Sequence, residues 1–151
     1  MLNGISLSRD QEYRLGLSFY ETLVAKAEAE AGEVDNALTR LNRAFAEVEQ
    51  TGERWHEAEM YRIRGEILLK RDAADTALPE EAFQTAIAIA RQQQAKSWEL
   101  RAATSLARLW RDQGKRQEAH DLLAPIYDWF TEGFDTLDLK EARALLGELP
   151  D

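Results

Sequence analysis

At 151 residues and 44% hydrophobic, the chain is long enough to bury a single core, and its lack of cysteine excludes disulfides, zinc–thiolate centres and thiol nucleophiles. A formal net charge of -9 repels nucleic acid and gives no basis for attraction to anionic lipid. No apolar run approaches the roughly 18 residues of a membrane span, and residues 1–14 lack a basic flank followed by an apolar core, so the expectation is a soluble, cytoplasmic protein.

Apolar residues recur every three or four positions and nowhere alternate, which predicts an all-α chain. Ser18-Phe19-Tyr20-Glu21 has the form of a capping box and predicts a helix from there to Ala31, stopped by Gly32, with an earlier start at Ser8 as the alternative. A second helix follows from about Val34 to Gln50, with Ala37, Leu38, Leu41, Ala44, Phe45 and Val48 on its inner stripe, and ends at Thr51-Gly52. The third spans about Arg54 to Arg71, and its interior Gly65, which costs about 1 kcal/mol relative to alanine, points to close helix contact.

After the polar stretch 72–78, Pro79 suits the first turn of a fourth helix through Phe83, Ala86, Ile87 and Ala90. A fifth helix runs from about Ser97 to Gln113, and a sixth carries Ala119, Leu122, Leu123, Ile126 and Trp129, with Pro125 predicting a bend. Past Gly133, Asp135 or Thr136 caps a short final helix with Leu139, Ala142, Leu145 and Leu146 on one side. One ruler fits two of these pairs: Gly114, Ala119, Leu123 and Ile126 repeat the spacing of Gly32, Ala37, Leu41 and Ala44. A glycine stop followed by small and large apolar positions at fixed offsets is the mark of stacked helical hairpins.

On these residues the chain resembles the tetratricopeptide repeat (TPR) proteins. With Gly32 and Gly114 at the family's turn position, Ala25 and Ala107 correspond to its first-helix glycine, and Gly65 occupies that place itself. Tyr61 matches the first aromatic position in repeat two and Trp110 the second in repeat three, whereas repeat one has neither. Equivalent positions lie about 40 residues apart against the usual period of about 34, and Pro79 stands where repeat two would carry its second-helix alanine. The resemblance implies three antiparallel TPR-like hairpins stacked as a short right-handed solenoid: a lead-in at 1–16, repeats at 17–52, 53–95 and 96–132, and a capping helix with an acidic tail at 133–151.

A closer resemblance rests on Thr51-Gly-Glu-Arg-Trp, Ala58-Glu-Met-Tyr-Arg-Ile-Arg-Gly-Glu-Ile-Leu-Leu, Ala95-Lys-Ser-Trp-Glu-Leu-Arg-Ala-Ala-Thr-Ser-Leu-Ala-Arg-Leu-Trp and Trp129-Phe-Thr-Glu-Gly-Phe-Asp-Thr. Over residues 17–149 these are similar to the C-terminal repeat region of large bacterial signalling proteins that join a nucleotide cyclase to a regulatory ATPase. This implies a regulatory or scaffolding module without the catalytic parts.

Signs of an enzyme are weak. Gly114-Lys115 lacks the upstream glycine of a phosphate loop and reads as a helix stop. His56 and His120 lie in different repeats and read as solvated helix residues, and the Glu57/Glu59 and Glu80/Glu81 pairs are ordinary acidic first turns. The expectation is no catalytic residue, metal or cofactor.

Matching to the TPR family places Phe19, Thr22 and Lys26 from repeat one, Glu59, Arg62, Glu66 and Lys70 from repeat two, and Arg101, Thr104, Arg108 and Arg111 from repeat three along a concave groove. Spacings of three, four and three put the last four on one helical face. Lys26, Arg62, Lys70, Arg101, Thr104, Arg108 and Arg111 are therefore the candidate peptide-binding residues, for an acidic segment held by charge-assisted contacts. The plainer reading is a solvated face whose arginines pair with Glu59, Glu66 and Glu99. The asparagines of TPR carboxylate clamps are absent from these positions, which argues against a chaperone C-terminus as ligand.

A second functional reading is a homo-oligomerisation module whose basic face is structural or filled by an acidic tail. Trp55, Trp110, Trp129 and Phe130 are expected in the core, with Trp98 and Phe134 as the exceptions, and an exposed aromatic pair would point to self-association.

Overall fold

The computed structural model describes the backbone of residues 2–149 and the side chains of residues 16–149. Among the described residues there are seven helices and no strand: α1 (Leu2–Glu30), α2 (Val34–Thr51), α3 (Glu57–Arg71), α4 (Ala77–Gln92), α5 (Lys96–Asp112), α6 (Arg116–Asp128) and α7 (Leu137–Glu148). The capping box expected at Ser18 does not form. α1 runs unbroken from Leu2, leaving Ser18 buried inside the helix and its Oγ 2.9 Å from His56 Nε2. Glu21 serves α2 instead, accepting a hydrogen bond from Arg40 Nη1 at 2.8 Å.

Chain-end chemistry explains where several helices stop. The turns after α1, α4 and α5 share one geometry, in which Gly32 (φ 92°), Gln94 (φ 56°) and Gly114 (φ 82°) adopt the left-handed conformation. The next N–H then reaches back five residues at 2.8 Å: Glu33 to Glu28, Ala95 to Ala90, and Lys115 to Trp110. This Schellman arrangement satisfies carbonyls that the helix end would otherwise leave unpaired. The third helix begins at Glu57 rather than Arg54, because residues 52–56 form the turn into it. The sixth continues through Pro125 and ends at Asp128.

α1 packs on α2, α3 on α4 and α5 on α6; the odd-numbered helices form a row, α1 to α3 to α5 to α7, and each even helix also touches the next odd one. Small residues let these backbones approach. Ala25, Ala37, Ala44, Ala107 and Ala119 are fully buried, as are Leu41 and Leu123 at the repeated apolar offsets. At Gly65 a Cβ would overlap the ring of Phe83, which reaches the α3 backbone from α4. That contact outweighs the poor helix propensity of glycine.

The main core gathers Phe83 and Ile87 of α4, Leu100, Ala103 and Leu106 of α5, Leu123 of α6 and Leu139, Ala142 and Leu145 of α7. α7 is thus anchored by its apolar face, which leaves its acidic face free to meet α5.

Candidate functional site

The row of odd-numbered helices encloses a cleft of about 270 Å³. Ala29 of α1, Ile63 and Ile67 of α3 and Leu137 of α7 supply its apolar surface. Around them stand Lys26, Arg62, Lys70, Arg101 and Arg108, together with Glu30, Glu66, Asp138 and Glu141. Thr104 also lines the cleft, but its hydroxyl is buried and donates to the Leu100 carbonyl at 2.8 Å. Six of the seven candidate residues therefore meet in one place; Arg111 lines an adjoining hollow with Arg108.

Phe19 and Thr22 do not belong to the cleft. Thr22 is buried with its hydroxyl bonded to the Ser18 carbonyl at 2.7 Å, and Phe19 packs against Trp55 and His56. Both share the helical face of Lys26, seven and four residues before it, but lie one to two turns nearer the start of the chain, where Trp55 and His56 of the turn before α3 cover Phe19.

The arginines are held by acids from several elements. Glu59, 3% exposed, receives two hydrogen bonds from Arg62, one of them at 2.9 Å, and lies 2.6 Å from Arg101 of α5. Burial is the largest single influence on the Arg62 pKa and lowers it, but the Glu59 hydrogen bonds together with the charges of Glu59, Glu66 and Asp138 outweigh it, so the net shift is upward and the guanidinium stays charged. Glu59 therefore acts from behind the cleft, where it fixes two guanidinium groups. Glu66 approaches Arg62 at 4.0 Å. Glu99, expected to pair with the basic face, instead binds Arg91 at 2.8 Å and Lys96 at 3.4 Å on the far side of α5.

α7 supplies the rest. Asp138, Glu141 and Glu148 meet Arg101, Arg108 and Arg111 at 3.4, 3.2 and 2.7 Å, in the same order along both helices. The side chains are partly exposed, so each pair contributes about 0–1 kcal/mol. The ladder balances the face that looks so basic in the sequence. Lys26 and Lys70 are different: both are exposed, and among the described residues neither has a carboxylate within 4.0 Å.

His56 departs from the expectation of a solvated residue. It is fully buried at the start of α3, between Phe19 and Trp55, with Ser18 on Nε2 and no partner for Nδ1 among the described residues. Burial pushes its pKa below the ordinary value, against the opposing pull of Glu53. His120 is half-buried and only 3.8 Å from Asp121. Among the described residues no three metal-ligating side chains come together, and no helix is long and apolar enough to cross a membrane.

The aromatics also redistribute. Trp55 and Trp129, expected in the core, are 49% and 57% exposed. Trp55 lies in the turn before α3 and donates to Glu53, and Trp129 stands just past the end of α6 with the Lys96 ammonium over its ring. Trp110 is half-buried and donates to Glu80. Phe134 is exposed, and Trp98 is half-covered by Arg101. Comparison of the chain with protein-family models, with curated proteins and with solved structures finds no match.

Proposed function

We propose that this chain is a non-catalytic, TPR-like protein-interaction module that binds an acidic, partly apolar segment of another protein in the cleft between α1, α3, α5 and α7. In this reading the three helix pairs and α7 form a short right-handed solenoid, and the odd-numbered row is its concave wall. The packing of odd helices on odd helices, and of each even helix on the next odd one, supports the stacking. The resemblance of the repeat sequences assigns the module a regulatory or scaffolding place in a bacterial signalling system, in the cytoplasm.

The observation that carries the binding proposal is the unequal state of the cations. Arg62, Arg101 and Arg108 already have carboxylate partners, while Lys26 and Lys70 border the same apolar floor without one. An incoming carboxylate pairs with the lysines, and an apolar neighbour in the ligand covers Leu137, the exposed apolar side chain of the cleft. Further acids of the ligand exchange with Asp138 and Glu141 for Arg101 and Arg108, at little net cost because exposed pairs are weak.

The test is fluorescence anisotropy with a fluorescein-labelled peptide of alternating glutamate and leucine. Wild-type protein binds it and releases it as salt rises, and Lys26→Glu/Lys70→Glu weakens binding at least tenfold with an unchanged helical circular dichroism spectrum. Equal binding by both proteins removes the cleft as the site.

A second reading has one observation in its favour. The ladder from α7 occupies the arginine face with the chain's own acids, as a purely structural role for that face requires. Under this reading the lysine variant binds as the wild type does, and the module assembles through another surface.

A further inference from the structure

Away from the cleft, the chain has two surfaces of opposite character that its own fold leaves unmatched. The first is on the other face of α3. α2 and α4 flank that face, but no Cα of one lies within 8 Å of a Cα of the other. The gap is a crevice of about 400 Å³, with Leu38, Tyr61 and Leu68 as its apolar surface. Arg64 and Arg71 line it together with Glu81, and among the described residues neither arginine has a carboxylate within 4.0 Å, so the two cations outnumber the one anion. Arg64 rests on the Phe45 ring at 5.6 Å, which holds the guanidinium in place without neutralising it.

The second surface is segment 128–135, the last residue of α6 and the irregular stretch that follows it toward α7. Trp129 and Phe134 are exposed on it at 57% and 43%, among the exposed carboxylates of Asp128, Glu132 and Asp135. Among the described residues no basic group lies within 4.0 Å of these three acids. The segment lies apart from its own crevice: no Cα of α6 or α7 is within 8 Å of a Cα of α2, α3 or α4.

We propose that segment 128–135 of one copy docks in the α2–α3–α4 crevice of a second copy. Its aromatic side chains cover the apolar surface, and its carboxylates pair with Arg64 and Arg71. Both partners are charged and unpaired in the isolated chain, so docking adds charge-assisted hydrogen bonds without breaking existing ones. A whole aromatic side chain covers about 150–250 Å², and with Trp129 and Phe134 only 57% and 43% exposed docking removes about half of that for each, well below the roughly 1,600 Å² of a standard interface. The association is therefore weak and concentration-dependent. In a chain of net charge -9 copies otherwise repel one another, so the contact depends on these two local cations.

The test is sedimentation equilibrium from low-micromolar to several-hundred-micromolar protein. Wild type rises from its monomer mass of 17.2 kDa toward at least twice that value. Arg64→Glu/Arg71→Glu and Glu132→Arg/Asp135→Arg each stay monomeric, and an equimolar mixture of these two variants recovers the wild-type rise, because every charge then meets its opposite. Trp129→Ala/Phe134→Ala stays monomeric without any change of charge. A wild type that is monomeric throughout, a rise that survives in the separate variants, or a mixture that fails to recover overturns the proposal. The cleft plays no part here, so Lys26→Glu/Lys70→Glu associates as the wild type does.

Discussion

Arg101 of α5 and Glu59 of α3 lie 2.6 Å apart, and the Glu59 side chain is almost wholly removed from solvent. The same carboxylate holds Arg62, so one buried anion fixes two of the cations around the cleft. Removing it leaves a mostly buried guanidinium without its main partner, a change that costs about 3–5 kcal/mol. Glu59→Ala therefore lowers the urea midpoint of unfolding sharply. Arg101→Met costs less, about 1–3 kcal/mol, because Glu59 keeps Arg62.

Gly65→Ala is the second stability prediction. Helix propensity alone favours alanine by about 1 kcal/mol, but the added methyl meets the Phe83 ring. Overpacking of this kind costs about 1–3 kcal/mol, so the variant melts at a lower temperature than the wild type. Gly65→Ala/Phe83→Leu recovers part of the loss, which a purely local helix effect does not allow.

Gln94 takes a left-handed conformation at a turn whose counterparts use Gly32 and Gly114. The penalty for a residue with a side chain in that region is about 1–2 kcal/mol, offset in part by the greater unfolded-state freedom of glycine. Gln94→Gly is expected to raise thermal stability slightly, by up to about 1 kcal/mol.

His56 gives the pH dependence. Burial holds its folded pKa below the ordinary value of 6.5, so on acidification the unfolded chain takes up a proton before the folded chain does. Stability therefore falls as pH drops below about 6.5, down to the lower folded-state pKa, where this contribution levels off. The groups facing the ring are the Ser18 hydroxyl from α1 and the Glu53 carboxylate from the preceding turn, which opposes the shift. Urea unfolding at about pH 7.5 and about pH 5.5 reads the effect. His56→Gln is less stable overall but loses less between the two pH values than the wild type.

The helices were legible in the sequence because close packing needs small residues at fixed offsets. Ala25, Ala37, Ala107 and Ala119 have no exposed surface, and Gly65 lies against Phe83. The gathering of Lys26, Arg62, Lys70, Arg101 and Arg108 at one cleft agrees with what the repeat resemblance implied, whereas helix spacing by itself places only Arg101, Thr104, Arg108 and Arg111 on a common face. The charge state of these cations was not legible. Asp138, Glu141 and Glu148 lie 33 to 37 residues from the arginines they meet, and only the placement of α7 beside α5 makes them partners. The Ser18 capping signature misled because a hydroxyl and a glutamate three residues apart can equally serve a neighbouring helix and turn, as Ser18 and Glu21 do. Trp55 and Trp129 misled because they stand at helix boundaries, where periodicity no longer says which way a side chain points.

The central claim is that the cleft receives an acidic segment, and it is tested most directly by titrating the alternating glutamate–leucine peptide into isotopically labelled protein and following backbone amide shifts. The account predicts saturable shifts concentrated at Lys26, Ile63, Ile67, Lys70 and Leu137, with smaller changes along Arg101, Arg108 and their α7 partners as the ladder exchanges. Shifts confined to other faces, or an unchanged spectrum at saturating peptide, contradict it.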